Sequence, residues 1–197
     1  MKKIFIYYSL NGSGDVVADV LKEQGVTIRK VKPKKELPKS IIGQILQGGF
    51  LAMINHKSKL IDFDKDISKY DEVIIGSPIW NARLSTPINT VLDELDLKDK
   101  KVSFIFYSAS GTSPKATEKV HKLFPKAEIT DLKEPKDNEQ ELNKIWYINI
   151  IEEIKNGRIH INHIFSYIWY NFFTCYIPWT VLANTNTSFN NQPNKKK

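Results

Sequence analysis

The sequence predicts an α/β fold, a doubly wound, five-stranded parallel sheet with helices packed on both faces. Two observations lead to this fold class. Short strands rich in β-branched and aromatic residues alternate with amphipathic helical segments along residues 3–154. The strands are nearly continuous apolar runs, which is the pattern of strands buried on both faces of a parallel sheet. With 197 residues, 41% of them hydrophobic, the chain can form one such domain with a substantial core.

Five segments carry the strand pattern. KIFIYYS near the N-terminus is apolar and aromatic, and VTIRKV alternates. DEVIIG and VSFIFY are short and either β-branched or aromatic, and AEITDL is a fifth, weaker candidate. The predicted strands are Lys3–Ser9, Val26–Val31, Asp71–Gly76, Val102–Tyr107 and Ala127–Leu132.

Helical patterns lie between and after these strands. The first places four apolar residues between Val16 and Leu21 on one face, and Gly25 follows as a stop. The second, SIIGQILQGGFLAMI, has a weak point at its Gly48–Gly49 pair. The third has Pro87 in its first turn, where proline is tolerated. The predicted helices are Asp15–Gln24, Ser40–Ile54, Thr86–Leu95, Pro114–Leu123 and Glu139–Ile154.

A tail follows the predicted domain, which covers residues 1–157. Residues 159–194 hold no formally charged side chain, and residues 164–183 (IFSYIWYNFFTCYIPWTVLA) have about the length of a membrane-spanning helix. Asn171, Pro178 and the heavy aromatic content argue against a spanning helix. Four interpretations of residues 158–197 stay open: a membrane anchor, an appendage packed on the domain or on a dimer partner, a non-functional extension, and a partner-binding segment.

Charge and cysteine content exclude several classes of protein. The formal net charge is +7, of which Arg158 and Lys195–Lys197 in the tail supply +4. Because no basic helix or stripe is visible, we expect no nucleic-acid partner. The single cysteine, Cys175, excludes an internal disulfide and a multi-cysteine metal site, and we expect no metal. No signal peptide is visible, so we expect a cytoplasmic protein, membrane-associated if the tail anchors it.

Three loops are candidate binding loops, because ligands of doubly wound folds lie beyond the carboxyl ends of the strands. The first offers Ser9, Asn11, Gly12, Ser13 and Gly14 at the start of a helix. N–H groups at a helix N-terminus and the helix dipole favour a phosphate there. No lysine follows the second glycine, so a nucleoside triphosphate loop is absent. Capping of the helix by Ser13 alone explains the loop equally well.

The other two loops add an aromatic side chain and more hydrogen-bonding groups. GSPIWNARLSTPI follows the third strand, and its Trp80 either stacks on a planar ring or folds back on the helix. YSASGTSP follows the fourth strand and offers amides and hydroxyls, either to a ligand or to the turn before a helix. A phosphate cradle, an aromatic side chain and an amide-rich loop at one sheet edge together describe an FMN site.

From Lys2 to about Gly157 the chain resembles the flavodoxins, most closely the short flavodoxin-like proteins and NAD(P)H-dependent oxidoreductases of bacteria and archaea. The matching stretches are IFIYYSLNGSGDVVADVLKE, KPKKELPK, DEVIIGSPIWNARLSTPINTVLDE and KKVSFIFYSASG. The resemblance implies the flavodoxin-like strand order 2-1-3-4-5 and non-covalent FMN. It assigns the phosphate to Ser9, Asn11, Gly12 and Ser13, the ring to Pro78, Ile79, Trp80 and Asn81, and the remaining contacts to Ser108, Ala109, Ser110 and Gly111.

Three positions bear on how well the chain fits this family. At the start of the first helix the family usually has a threonine, and this chain has Gly14, which completes the predicted cofactor-binding set. A lost hydroxyl bond to the phosphate is worth about 1–2 kcal/mol, so the resemblance predicts that Gly14→Thr tightens FMN binding. Asp15 suits a phosphate site only if its carboxylate points away. Arg83, if near the ring, would raise the flavin potential and favour a reductase slightly.

These patterns predict an FMN-binding flavoprotein in electron transfer or in NAD(P)H- or quinone-linked reduction. No catalytic residue is predicted, because FMN carries the chemistry, and the choice between an enzyme and an electron carrier stays open. The alternative is a flavin-less interaction module on the same fold, which Gly14 favours. The expected partners are a redox protein, NAD(P)H or a quinone, with a membrane contact through residues 164–183 and a dimer as further options.

Overall fold

The computed structural model describes residues 1–38, 40–155 and 157. Met1–Tyr147 form one compact unit. The predicted tail and its four interpretations lie outside the described residues, so the domain boundary at residue 157 stays a prediction. Within the described part of the chain, no helix combines the length and the apolar character needed to cross a bilayer.

The sheet has five parallel strands, and a sixth, two-residue strand pairs antiparallel with one of them. The strand order is β2-β1-β3-β5-β6, with β4 paired only to β3. The five parallel strands therefore follow the predicted order 2-1-3-4-5. The strands are β1 Lys3–Tyr7, β2 Thr27–Lys30, β3 Glu72–Trp80, β4 Arg83–Leu84, β5 Lys101–Ser108 and β6 Glu128–Lys133.

All five predicted helices form. The segment predicted as a helix over Ser40–Ile54 is helical but changes type twice, with a π-helical turn at Gln44–Gly48 between two short α-helices. π-helical turns inside α-helices are frequent at functional sites. The other elements are α1 Ser13–Glu23, α2 Ile41–Gly43, α3 Gly49–Met53, α4 Thr86–Glu94, α5 Pro114–Leu123 and α6 Glu139–Lys155.

The core lies on both faces of the sheet, as the strand pattern predicts. Successive side chains of a strand point to opposite faces, so Ile4 and Ile6 of β1 lie in one apolar cluster and Phe5 lies in the other. The first cluster is covered by Ile88 and other apolar residues of α4, and the second by Leu21 and others of α1. The carboxyl ends of the strands are thereby held rigidly at one edge.

The predicted strand boundaries differ from the structure by at most two residues except at the end of β3, which continues to Trp80 instead of ending at Gly76. The Gly76 carbonyl accepts a hydrogen bond from the Tyr8 amide, so that residue faces β1. Pro78, two residues on, faces the same edge beyond the last β1 pair, where its missing N–H breaks no ladder bond. β3 pairs with β4 through a tight hairpin, so the predicted loop after the third strand is shorter than expected.

Candidate functional site

A cavity of about 800 Å³ opens at the carboxyl ends of β1, β3 and β5. All three predicted loops contribute to its wall, which confirms that they meet at one edge of the sheet. The lining residues are Leu10, Asn11, Ser13, Gln44, Ile45, Leu46, Gly49, Phe50, Met53, Pro78, Ile79, Trp80, Asn81, Tyr107, Ser108, Ala109 and Glu134. Its volume and mixed lining are typical of small-molecule sites, which measure about 300–1,000 Å³.

The thirteen sequence-predicted site residues divide into two groups. Eight of them line the cavity: Asn11, Ser13, Pro78, Ile79, Trp80, Asn81, Ser108 and Ala109. The other five, Ser9, Gly12, Gly14, Ser110 and Gly111, are not lining residues but shape the loops behind it. The residues of this second group contribute backbone amides, backbone conformations or side-chain hydrogen bonds that hold the loops in shape.

The first loop folds around the N-terminus of α1. The Ser13 amide donates to Asn11 Oδ1, and the Gly14 amide donates to Ser9 Oγ, both at 3.2 Å. Gly12 occupies the cap position with φ of 96°, a left-handed conformation that glycine adopts freely, and no side chain caps the helix from that position. Capping by Ser13 alone is therefore the wrong explanation of this loop, because Ser13 is already the first helical residue.

Gly14 has a packing role that the sequence did not reveal. A Cβ atom placed on it would lie 2.5 Å from Tyr107 Oη and 2.9 Å from Tyr7 Cδ2. The Tyr107 hydroxyl is fixed, since its ring is buried and it donates to the Tyr8 carbonyl. The structure leaves no free space for a threonine side chain at position 14, because tyrosine side chains fill it, so we no longer expect Gly14→Thr to tighten FMN binding.

Asp15 is held on the side of Tyr7 and β2. Tyr7 Oη and Lys30 Nζ both donate to Asp15 Oδ1, at 2.8 and 2.7 Å. Burial raises the pKa of the Asp15 carboxyl, but the hydrogen bonds from Lys30 and Tyr7 outweigh it, and the net pKa lies below its ordinary value. Lys30, at the end of β2, thus neutralises this acid, while a side-chain hydrogen bond from Ser9 of the predicted phosphate loop also lowers the Asp15 pKa.

Trp80, the last residue of β3, packs against two neighbours, Tyr8 and the π-helical turn at Gln44–Gly48. Its ring meets the Tyr8 ring edge-to-face at 6.0 Å and 89°. Burial, with the neighbouring Glu36 carboxylate, raises the pKa of the Tyr8 hydroxyl, which donates to that carboxylate. A Cβ atom on Gly48 would lie 3.4 Å from Trp80 Cε3, so the π-helical turn also packs on the indole. Trp80 therefore packs on the helical segment and also lines the cavity, whereas its stacking on a planar ring stays a prediction.

Two residues at the β3–β4 turn have left-handed backbones, Asn81 at φ 49° and Ala82 at φ 61°. Two positive φ values in succession are the mark of a tight two-residue hairpin, where asparagine is favourable and alanine is not. Arg83 follows, and its guanidinium donates to the Asn81 carbonyl at 3.3 Å. Arg83 is absent from the cavity lining, so the structure gives no support to the predicted effect on the flavin potential.

The third loop is organised by its own hydroxyls. Ser108 Oγ accepts from the Gly111 amide at 3.0 Å, and Ser110 Oγ accepts from the Thr112 amide at 3.3 Å. Gly111 is left-handed with φ of 69°, and a Cβ atom there would lie 2.9 Å from Lys133 Cβ. This loop is therefore clamped against the end of β6, and it presents Ser108 and Ala109 to the cavity.

Sequence reasoning missed one wall of the cavity. We call it the helical wall, and it consists of Gln44, Ile45, Leu46, Gly49, Phe50 and Met53. Leu46 is 69% exposed and Phe50 56% exposed, while Gly48 and Ala52 are the buried residues of this segment. The available signal was an apolar helix with more apolar residues than one buried face accommodates. Glu134, after β6, was missed as well.

Comparisons with known proteins agree with this architecture. A sequence profile described as flavodoxin matches residues 2–150, while no curated protein matches the chain. A flavoprotein from Lactobacillus acidophilus NCFM, crystallised in complex with FMN, shares 22% identity at a TM-score of 0.52, over 65% of this chain and 89% of that chain. A protein described as a flavoprotein from Bacteroides eggerthii DSM 20697 shares 20% identity at a TM-score of 0.57, over 66% and 84% of the two chains.

Identities this low show a common fold. The family and the FMN-bound neighbour also support FMN as the cofactor that the sequence predicts. Since the profile covers most of the 197 residues, the chain belongs to the flavodoxin family.

Proposed function

We propose that this chain is a flavoprotein that binds FMN non-covalently in the cavity and exchanges electrons through it. The observation that carries the proposal is the meeting of all three loops in one cavity of about 800 Å³. One end of this cavity is polar and lies at the N-terminus of α1, and the other end is apolar and aromatic. That division matches a cofactor with a phosphate at one end and a flat ring at the other.

The residues present fit the phosphate end of FMN. Two N–H groups at the start of α1 already point at oxygen atoms, those of Asn11 and Ser9. A phosphate oxygen can replace such side-chain oxygens, because amides at a helix N-terminus favour an anion. Gly12 keeps the loop open, since only glycine adopts its backbone conformation without strain.

The ring end is built from strand termini. Ile79 and Trp80 at the end of β3 and Ala109 after β5 provide apolar surface to the same cavity. When bound, FMN supplies the hydride and single-electron chemistry that no protein side chain provides. The chain orients the cofactor through the first loop, excludes water from the ring with Trp80 and the helical wall, and sets the local charge through Glu134.

A second candidate function, reduction of a small apolar acceptor such as a quinone, is favoured by the helical wall. Ile45, Leu46 and Phe50 are each more than half exposed and yet line the cavity. Apolar surface that reaches both solvent and the cavity suits an apolar molecule that enters beside the cofactor. The electron donor would be NAD(P)H or a redox protein. The predicted dimer and the membrane contact through residues 164–183 stay predictions.

The first experiment is an absorbance spectrum of the purified full-length protein, followed by titration of the flavin-free protein with FMN. We expect flavin bands, release of FMN on heating, and saturable rebinding. A colourless protein that binds no added FMN would contradict the proposal and favour the flavin-less interaction module.

The second experiment separates a reductase from a carrier. NADH or NADPH is added anaerobically to the FMN-loaded protein without another enzyme, and the flavin absorbance is followed. Bleaching, with recovery on addition of a quinone, supports the reductase. An unbleached flavin that accepts electrons from a separate reductase protein supports the carrier.

A further inference from the structure

A lysine from a fourth loop lies against the first loop. Lys136 follows β6 in the sequence, far from the three predicted loops. A Cβ atom placed on Gly12 would lie 3.4 Å from Lys136 Cδ, 3.6 Å from its Cε and 3.8 Å from its Nζ. The whole end of this side chain therefore runs along the glycine at the N-terminus of α1, with the ammonium beside the loop.

The backbone around Lys136 is fixed by several contacts. The Glu134 amide donates to the Ser108 carbonyl at 3.0 Å, which ties the start of the turn to the end of β5. The Asp137 amide donates to the Glu134 carbonyl at 2.9 Å, and Pro135 between them is buried. The turn thus projects Lys136 from a constrained backbone, which places its side chain within reach of Gly12.

The Lys136 ammonium has no hydrogen bond or ion pair with any other residue in the described part of the chain. In contrast, Lys30 on the other side of the loop is committed to Asp15. The loop itself supplies amides and hydroxyls but no positive charge, and no lysine follows Gly14. A phosphate dianion bound by neutral donors gains substantially from one nearby cation.

We infer that Lys136 is a binding residue for the FMN phosphate and supplies the charge that the first loop lacks. This inference rests on the proposed function, because it concerns the same cofactor. It makes the β6–α6 turn, residues 134–137, a fourth element of the site. Glu134 of the same turn lines the cavity, whereas Lys136 borders the phosphate loop.

The test compares dissociation constants of the flavin-free protein for FMN and for riboflavin, which lacks the phosphate, by flavin fluorescence. We expect Lys136→Gln to weaken FMN binding about tenfold and to leave riboflavin binding within twofold. Lys136→Arg should restore most of the FMN affinity. Lys126→Gln, which removes the same charge from an exposed turn at the other end of β6, is the matched control and should change neither constant.

Salt adds a second readout. Since an exposed ion pair is screened at high ionic strength, the tenfold difference should shrink in 1 M salt, where the screening length is about 3 Å. Equal FMN affinity of Lys136→Gln and the wild type would overturn this inference and leave the proposed function standing. Equal losses for FMN and riboflavin would also overturn it, as a structural effect. A wild-type protein that binds no FMN would overturn both.

Discussion

The two sides of the cavity are built in opposite ways. On the sheet side, the first loop packs on buried tyrosines, and a single added carbon at Gly14 meets Tyr107 and Tyr7. On the helical wall, Leu46 and Phe50 are mostly exposed, and among the residues that the structure describes the neighbour of a carbon added at Gly49 is Asn81 Cβ, at 3.9 Å. The rigid side suits recognition of an invariant cofactor, and the open side suits contacts with variable partners.

The largest expected effect comes from adding a side chain on the rigid side. Gly14→Thr places atoms inside the contact distance of the buried Tyr107, whose hydroxyl is held by the Tyr8 carbonyl. We expect a loss of about 2–3 kcal/mol in the free energy of unfolding, as for an overpacked core, and weaker FMN binding. Chemical denaturation and FMN titration measure the two effects.

Gly49→Ala is the matched control on the open side. Gly49 has helical angles, φ −63° and ψ −42°, and room for a methyl group, so alanine should stabilise the protein by about 0.5–1 kcal/mol. The double variant Gly14→Ala/Tyr107→Phe lacks the Tyr107 hydroxyl, which is the atom closest to the added carbon. It should therefore lose less stability than Gly14→Thr. If Gly14→Thr bound FMN more tightly at unchanged stability, the contrast between the two sides would collapse.

The second effect concerns the open side. Leu46→Ser removes a large apolar side chain that lines the cavity but is 69% exposed. If the protein reduces apolar acceptors, we expect KM for a hydrophobic quinone to rise about fivefold, which corresponds to ~1 kcal/mol. Stability should change by less than about 0.5 kcal/mol, because the side chain is mostly exposed, and the FMN affinity by less than twofold, because Leu46 is one of six residues of the helical wall.

Ile42→Ser is the control for this change. Ile42 lies in the same helical segment and is 71% exposed, but it does not line the cavity. Its substitution should leave KM unchanged, with a smaller cost in helix propensity than Leu46→Ser, because isoleucine and serine have similar propensities. Equal kinetic effects of the two serine variants would show that the wall acts through helix stability and not through contact with the acceptor.

The contrast also explains what the sequence could predict. The strand order and the meeting of the three loops follow from local periodicity and the general rules of doubly wound sheets. Helix α5 has its predicted bounds because Pro114 marks its start. The role of Gly14 was misjudged, since Tyr107, which fills the space beside it, comes from a distant strand. No local pattern reports such a contact.

Other misses have the same origin. The third strand was predicted to end at Gly76, but it continues through Pro78, which lies beyond the last residue pair with β1. The helical wall and Lys136 join the site only through tertiary packing, of Gly48 on Trp80 and of Lys136 on Gly12. The sequence therefore predicted what each loop contains, whereas which side chains face one another depended on residues far apart along the chain.

The third effect is a pH dependence on the rigid side. The folded-state pKa of Asp15 is lowered by Lys30 and Tyr7 against the effect of burial, so its stabilisation is present above about pH 4 and is lost as pH falls through the folded pKa. Asp15→Asn should therefore show a shallower fall of Tm between pH 4.5 and 2.5. At pH 7 we expect Asp15→Asn to lower the free energy of unfolding by only about 0.5 kcal/mol, because the ion pair is over a third exposed.

Lys30→Gln is the second variant of this experiment, because it keeps the carboxyl group but removes its cation. It should flatten the same part of the Tm profile, since the Asp15 pKa then returns towards its ordinary value. Parallel profiles of the wild type and both variants would mean that the ion pair does not persist in solution, and that Asp15 is not held beside Tyr7.

The smallest effect lies where the two sides meet, at the β3–β4 turn. Ala82 has φ of 61°, a conformation that costs alanine about 1–2 kcal/mol relative to glycine. Replacing Ala82 with glycine removes this cost, but the greater freedom of glycine in the unfolded chain offsets part of the gain in stability. Ala82→Gly should therefore stabilise the protein by about 0.5 kcal/mol in urea denaturation. Asn81→Gly should gain less, because asparagine tolerates the left-handed region. The Ala82 carbonyl still accepts from the Ala116 amide in either variant, so a loss of stability would show that the turn is not left-handed in solution.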